Sequence, residues 1–138
     1  MYHEIAISLR VRYSETDQMG IVYYANYLTW FEIGRTEYCR ALGIPYTKWE
    51  EEGVLLPVVE ASCRYLSPAR YDDNLTVTTW VEEIKVSSMR FGYRIEREED
   101  KKTLAEGTTR HAFVDKEGKL LRRKHPFYLW IQKLIEEK

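Results

Sequence analysis

Cysteine is scarce in this 138-residue chain: Cys39 and Cys63 are the only two, and they form no CxxC pair. Such usage supports neither a disulfide framework nor a thiolate metal cluster, and it predicts a reduced, cytoplasmic compartment. Histidine is also sparse, with His3, His111 and His125 spread along the chain. No HExxH, GxSxG, Walker or GxGxxG pattern occurs. The expectation is therefore no metal, no nucleotide hydrolysis and no dinucleotide cofactor. Long apolar runs are missing as well. "VLLPVV" at 54–59 is far too short to cross a bilayer, so no stable membrane insertion is expected. The opening "MYHEIAISLRVRY" carries Glu4, Arg10 and Arg12 and lacks an apolar h-region, which predicts no secretory signal. A positive excess is absent too: the formal net charge of −1 argues against nucleic acid as a partner.

What is present is charge and aromaticity, at 31% and 14% of residues, in a length that suits one core. A single domain over 1–138 is expected. Ile5, Ile7, Leu9, Val11 and Tyr13 alternate with Glu4, Ser8, Arg10 and Arg12, the period of a half-buried strand. After a loop at 14–23, a helix is predicted from Asn26, its N-cap, to Leu42, where Gly43 and Pro45 stop it. Leu28, Phe31, Tyr38 and Leu42 form one apolar stripe, widened by Tyr27, Trp30 and Ile33, so this helix should be buried. Gly34 within it suits close approach of a sheet. A short helix at 45–53 and strands at 55–66, 75–86, 89–97 and 103–115 follow. On the last, Ala105, Gly107 and Thr109 leave room for the helix. Pro126 opens a terminal helix with Phe127, Trp130, Ile131, Leu134 and Ile135 on one face. The order is α+β, an antiparallel sheet of about five strands wrapped around a central helix.

The chemistry-bearing stretch is "ETDQMGIVYYANYLTWFEIGRTEY" at 15–38. An Asp in a glycine-containing loop ahead of a helix is commonly turn chemistry. Asp17 also precedes a buried helix N-terminus, where unpaired N–H groups and the dipole favour negative charge. An acid and free N–H donors at one apolar mouth can serve both halves of acyl transfer. Elsewhere, His111 reads as a structural histidine, Glu32 as a surface or second acid, and Glu60 as a buried hydrogen-bond partner. The run "KEGKLLRRKH" reads equally as a solvated end or a phosphate contact.

"ETDQMGIVYYANYLTWFE" resembles the signature of the hotdog-fold acyl-CoA thioesterases, in particular the 4-hydroxybenzoyl-CoA thioesterase branch and the Tol–Pal-associated thioesterases. The "PARYDD" turn and the "AEG" strand are also similar. The resemblance implies that Asp17 is the catalytic carboxylate and that the backbone N–H of Tyr24 polarises the thioester carbonyl. Tyr24 stands where many Tol–Pal-associated members have histidine, which agrees with the hydroxybenzoyl branch. Gly20, Tyr23, Tyr27 and Trp30 would surround the substrate. In the hydroxybenzoyl branch a basic run after the third strand helps hold the phosphates of coenzyme A. Here Lys85 keeps a charge while Val86 and Ser87 replace basic residues; Ser88, Arg90 and Arg122 complete the implied set. The implied function is hydrolysis of an acyl-CoA or aroyl-CoA without a cofactor, by a homodimer or homotetramer. A non-catalytic acyl-CoA-binding regulatory module is the alternative. A hotdog dehydratase would need a histidine near the helix start, where none stands.

Overall fold

The alternation of the first strand ends earlier than its pattern suggests. A computed structural model describes residues 3–136, and in it β1 is Ile5–Arg10. Val11 is buried, but Tyr13 is 76% exposed and meets Tyr71 edge-on at 5.6 Å. The strand stops because Tyr13–Glu15 closes a 3-10 turn, with the Arg12 N–H donating back to Glu15 Oε1 at 2.8 Å. Tyr13 is thereby removed from the inward face.

The elements that follow are α1 (Asn26–Ala41), α2 (Tyr46–Glu51), β2 (Val58–Tyr65), β3 (Asn74–Ile84), β4 (Ser88–Arg97), β5 (Thr103–Ala112) and α3 (Pro126–Glu136). The strands form one antiparallel sheet in the order β1-β3-β4-β5-β2. β3, β4 and β5 are central, while β1 and β2 are its edges. Met89, Phe91, Tyr93 and Ile95 of β4 alternate inward as expected and are buried. They meet α1, whose Phe31 ring stacks on Tyr93 at 4.3 Å with an interplanar angle of 5°.

Two glycines allow this contact. A Cβ on Gly34 would lie 2.5 Å from Thr79 Oγ1 and 3.0 Å from Val77 Cγ1. One on Gly107 would lie 2.6 Å from the Phe31 ring. Contacts of 2.5 and 2.6 Å are shorter than real Cβ atoms show, so helix and sheet approach as closely as they do only because these side chains are absent.

Several expectations need correction. Leu28 and Ile33 are 40% and 39% exposed, so the buried face of α1 is narrower: Tyr27, Trp30, Phe31, Gly34, Tyr38 and Cys39. Asn26 is not the N-cap; Ala25 is, with no side-chain cap bond. Asn26 is instead the first helical residue, and its Nδ2 donates to the Glu15 carbonyl at 2.8 Å. Glu60 is exposed on edge strand β2, with its carboxylate 3.7 Å from Arg110. An edge strand has one side in water, so its polar side chains need no interior partner. On α3 the buried face is Phe127, Tyr128 and Ile131, and Trp130 is 49% exposed. Trp80 lies half-buried on the outer sheet face, with the Arg94 guanidinium 5.6 Å from its ring.

Candidate active site

Asp17 begins a tight hairpin, and the turn reading is correct in its geometry. The Gly20 N–H donates to the Asp17 carbonyl at 3.0 Å, and the Asp17 N–H donates to the Ile21 carbonyl at 2.8 Å. Gly20 takes φ +78°, a left-handed conformation that suits glycine. One carboxylate oxygen, Oδ1, accepts the Met19 N–H at 2.8 Å. The other, Oδ2, has no partner among the described residues, and Asp17 is exposed. The turn therefore uses half of the carboxylate and leaves half free.

The hairpin lies against the 66–70 loop. Ile21 pairs with Arg70, and the Val22 N–H donates to the Ala69 carbonyl at 2.9 Å. That loop is pinned from below by Arg97, which bonds the Pro68 carbonyl (2.9 Å), Asp73 (3.1 Å) and Asp100 (3.0 Å). Between hairpin, loop and helix start lies a groove of about 310 Å³, lined by Val22, Tyr24, Tyr27, Tyr65 and Leu66. Its wall is aromatic: the Tyr65 ring stands edge-on to Tyr27 at 5.0 Å and to Tyr24 at 6.3 Å. Desolvation, with a further contribution from Cys63, pushes the Tyr65 phenol up to about 12. It therefore stays protonated and donates to the Tyr24 carbonyl at 3.0 Å.

The start of α1 keeps its donors open. The Tyr23 N–H is used by the Glu15 carbonyl at 2.9 Å, and the Asn26 N–H by the Tyr23 carbonyl at 3.0 Å. Between them, the N–H groups of Tyr24 and Ala25 have no acceptor among the described residues. With no side chain capping the helix, these two donors and the helix dipole are free to meet an oxyanion. Tyr23 and Tyr24 are exposed. Tyr27 is buried apart from the face it turns to the groove, and its hydroxyl accepts the Ala69 N–H at 3.0 Å.

Trp30 does not line the groove. It is 1% exposed, and its Nε1–H donates to Glu15 Oε2 at 2.9 Å. Glu15 itself is a buried carboxylate that sequence reasoning passed over, although it stands two residues before Asp17.

Lys85, Ser87, Ser88, Arg90 and Arg122 come together elsewhere. Ser87 Oγ donates to the Leu121 carbonyl at 2.5 Å, which holds the β3–β4 turn against the segment carrying Arg122. Lys85 Nζ is 3.9 Å from Glu83, and Arg90 is paired with Glu82 at 3.2 Å. Ser88 and Arg90 lie at the start of β4, whereas Tyr65 in the groove wall is in register, through Ala105, with Ile95 near its end. At 3.3 Å per residue, roughly 17–23 Å of sheet therefore separates this cluster from the groove. One chain does not bring the two groups together.

His111 is fully buried, as its structural reading predicts. Its Nδ1–H donates to the Leu56 carbonyl at 3.0 Å, so Nε2 accepts from Thr109 at 2.8 Å, and Thr109 accepts from Tyr93 at 2.5 Å. Burial holds the imidazole neutral, with its pKa lowered to about 4. Burial likewise pushes the Cys39 thiol up to about 12, which makes it unreactive. Glu32 is exposed on α1, where it borders a hollow of about 180 Å³ shared with Arg35 and Trp49. No group of His, Cys, Asp and Glu among the described residues could hold a metal. No helix among them is long and apolar enough to cross a membrane.

The chain is similar to known proteins along most of its length. It is 43% identical over 110 residues to the YneP protein of Bacillus subtilis, covering 80% of this chain and 79% of that one. With the acyl-CoA thioesterase YbgC of Haemophilus influenzae it shares 38% identity over 108 residues, 78% of each chain. A DHNA-CoA thioesterase from Staphylococcus aureus superposes with a TM-score of 0.88 at 29% identity, over 97% of this chain and 89% of that one. The family model described as the thioesterase-like superfamily matches residues 11–135. From the sheet that wraps α1 to the uncapped helix start, the chain belongs to this thioesterase superfamily and has its hotdog fold.

Proposed function

We propose that this protein hydrolyses the thioester of an acyl-CoA or aroyl-CoA, releasing the free acid and CoA. The observation that carries the reading is the pair of N–H groups at Tyr24 and Ala25 that have no acceptor among the described residues, opening beside an aromatic groove and preceded by Asp17, whose Oδ2 likewise has no partner among them. The thioester carbonyl sits at the helix start, where the Tyr24 N–H stabilises the negative charge that develops on its oxygen. Asp17 either attacks the carbonyl carbon, expelling the CoA thiolate to leave a mixed anhydride that water then hydrolyses, or takes a proton from a water that attacks the carbon as the C–S bond breaks. Both roles need the carboxylate ionised. Tyr23, Tyr24 and Tyr27 flank the acyl group, and Gly20 allows the turn that presents Asp17.

The CoA phosphates would meet Lys85, Ser87, Ser88, Arg90 and Arg122. Because these lie at the far end of the sheet from Tyr24, the reading requires two copies of the chain. Edge strand β2 is exposed along nearly its whole length, including Val58, Val59 and Tyr65. Antiparallel pairing of two such edges about a two-fold axis reverses direction at the seam. It sets the Tyr65 end of one copy beside the Val58 end of the other, bringing one copy's cations toward the other copy's helix start. The active unit is then a dimer or a dimer of dimers, in which Trp80 on the outer face is available for a second contact.

A panel of thioesters from acetyl- to palmitoyl- and benzoyl-CoA, followed by thiol release, tests the activity. Light scattering during dilution, read beside the same assay, tests the shared site. Turnover of at least one thioester, lost on dissociation, is the expected result. Binding without turnover across the panel would instead indicate the regulatory acyl-CoA-binding module.

A further inference from the structure

Glu15 takes no part in the proposed reaction, yet it lies between the two pieces of chain that perform it. It is 6% exposed. Its Oε1 accepts the Arg12 N–H at 2.8 Å and its Oε2 accepts the Trp30 Nε1–H at 2.9 Å. Its carbonyl accepts the Tyr23 N–H at 2.9 Å and Asn26 Nδ2 at 2.8 Å. One residue thus ties the end of β1, the exit of the Asp17 hairpin, and the first and second turns of α1.

The choice of an acid here has a physical reason. A buried charge is unfavourable unless it is hydrogen-bonded or paired. These two N–H donors, with Arg12 Nη2 at 3.6 Å from Oε2, provide that compensation. A glutamine would fill the same volume, but only an ionised carboxylate accepts on both oxygens. Glutamine would turn an NH2 group toward either Arg12 N–H or Trp30 Nε1–H, setting two donors face to face. The backbone carbonyl of Glu15 matters as well. By taking the Tyr23 N–H, it leaves Tyr24 and Ala25 as the first open donors of the helix.

We infer that Glu15 is a positioning residue, which holds the Asp17 hairpin in fixed register against the start of α1. The acid and the open N–H pair then approach one carbonyl from set places. This rests on the roles given above to Asp17 and Tyr24. A displacement near 1 Å between reacting groups can cost on the order of 10²-fold in rate, so the effect should appear in kcat.

The test is Glu15→Gln, assayed at a temperature where circular dichroism finds it folded. The expected result is a kcat lower by about 10- to 100-fold with KM little changed. In 1H–15N spectra the Trp30 indole signal and the amides of residues 16–26 should shift together. Trp30→Phe breaks the same bond from the donor side and should lower kcat by roughly 10-fold. In the Glu15→Gln background it should cost less, because the mismatched donor has gone. If Glu15→Gln does not fold, Trp30→Phe carries the same comparison. Three results would overturn the inference: kcat within twofold of wild type in the folded variant, activity lost only in proportion to the unfolded fraction, or spectral changes confined to Arg12 and Trp30. If the wild-type protein cleaves no thioester, the assignment of Asp17 and Tyr24 fails instead. The spectra then decide on their own whether Glu15 holds the hairpin.

Discussion

The two ends of the sheet are finished in opposite ways. At the end where β2 reaches Tyr65, rings stand in solvent: Tyr23, Tyr24 and Tyr65 are 49%, 61% and 45% exposed. Two backbone donors there have no acceptor among the described residues. At the other end Trp49 of α2 is 1% exposed, nearly parallel to Phe113 at 6.0 Å and to Phe127 of α3 at 4.4 Å. Its Nε1–H donates to the Ile44 carbonyl at 2.7 Å. One end stacks and buries its rings; the other leaves its rings in solvent and two of its donors without an acceptor among the described residues. The closed end should carry stability and the open end chemistry, a division that substitutions can break.

The largest expected effect is at the open end. Asp17→Asn keeps an oxygen for the Met19 N–H, so the turn and the melting curve should persist, but an amide neither attacks nor accepts a proton. Turnover should fall by ~10²–10⁴-fold in a thiol-release assay. Activity within a few-fold of wild type would remove Asp17 from the mechanism.

At the closed end the same comparison predicts the reverse. Trp49→Ala deletes a buried indole and should cost about 3–5 kcal/mol of stability, measured by urea unfolding. The folded fraction should keep a kcat near that of wild type. A large fall in kcat of the folded protein would mean that the two ends are coupled.

His111 sharpens the division through pH. Burial lowers its pKa from 6.5 to about 4, so between those values the unfolded chain holds a proton that the folded chain refuses. Its contribution is complete above pH 6.5 and is lost as pH falls through that window toward 4. At ~1.4 kcal/mol per unit this amounts to about 3 kcal/mol. Melting temperatures of wild type and His111→Gln across pH 4–7 should show a flatter dependence in the variant. Equal slopes would mean that the imidazole titrates normally in the fold.

The smallest effect is expected at the cluster opposite the groove. Lys85→Ala or Arg122→Ala should each weaken CoA thioester binding by ~1.5–3 kcal/mol, raising KM and leaving kcat nearly intact. Unchanged KM in both would mean that other groups hold the phosphates.

The residues that were legible in advance owe their behaviour to near neighbours in the chain. Period-two alternation placed β4 with its inward face, and Pro126 opened α3 where expected. The absence of a Cβ at Gly34 was enough to anticipate a close sheet contact, since a glycine inside a helix needs such a reason. The motif around Asp17 pointed to a tight turn leading into a helix start because the two are contiguous there. Tertiary structure decided what depends on distant partners. Asn26 reads locally as a cap, but the carbonyl of Glu15, eleven residues earlier, claims its side chain. Trp30 reads as pocket lining, but the Glu15 carboxylate draws its indole inward. Glu60 reads as buried until the strand order leaves β2 at an edge. Lys85 and Arg122 read as parts of one site with Tyr24, and the strand register sets them at the opposite end of the sheet. Periodicity records which side of an element faces inward, because that choice repeats every two or three to four residues. Which elements lie side by side is set only when the sheet closes around α1, and no local pattern encodes it.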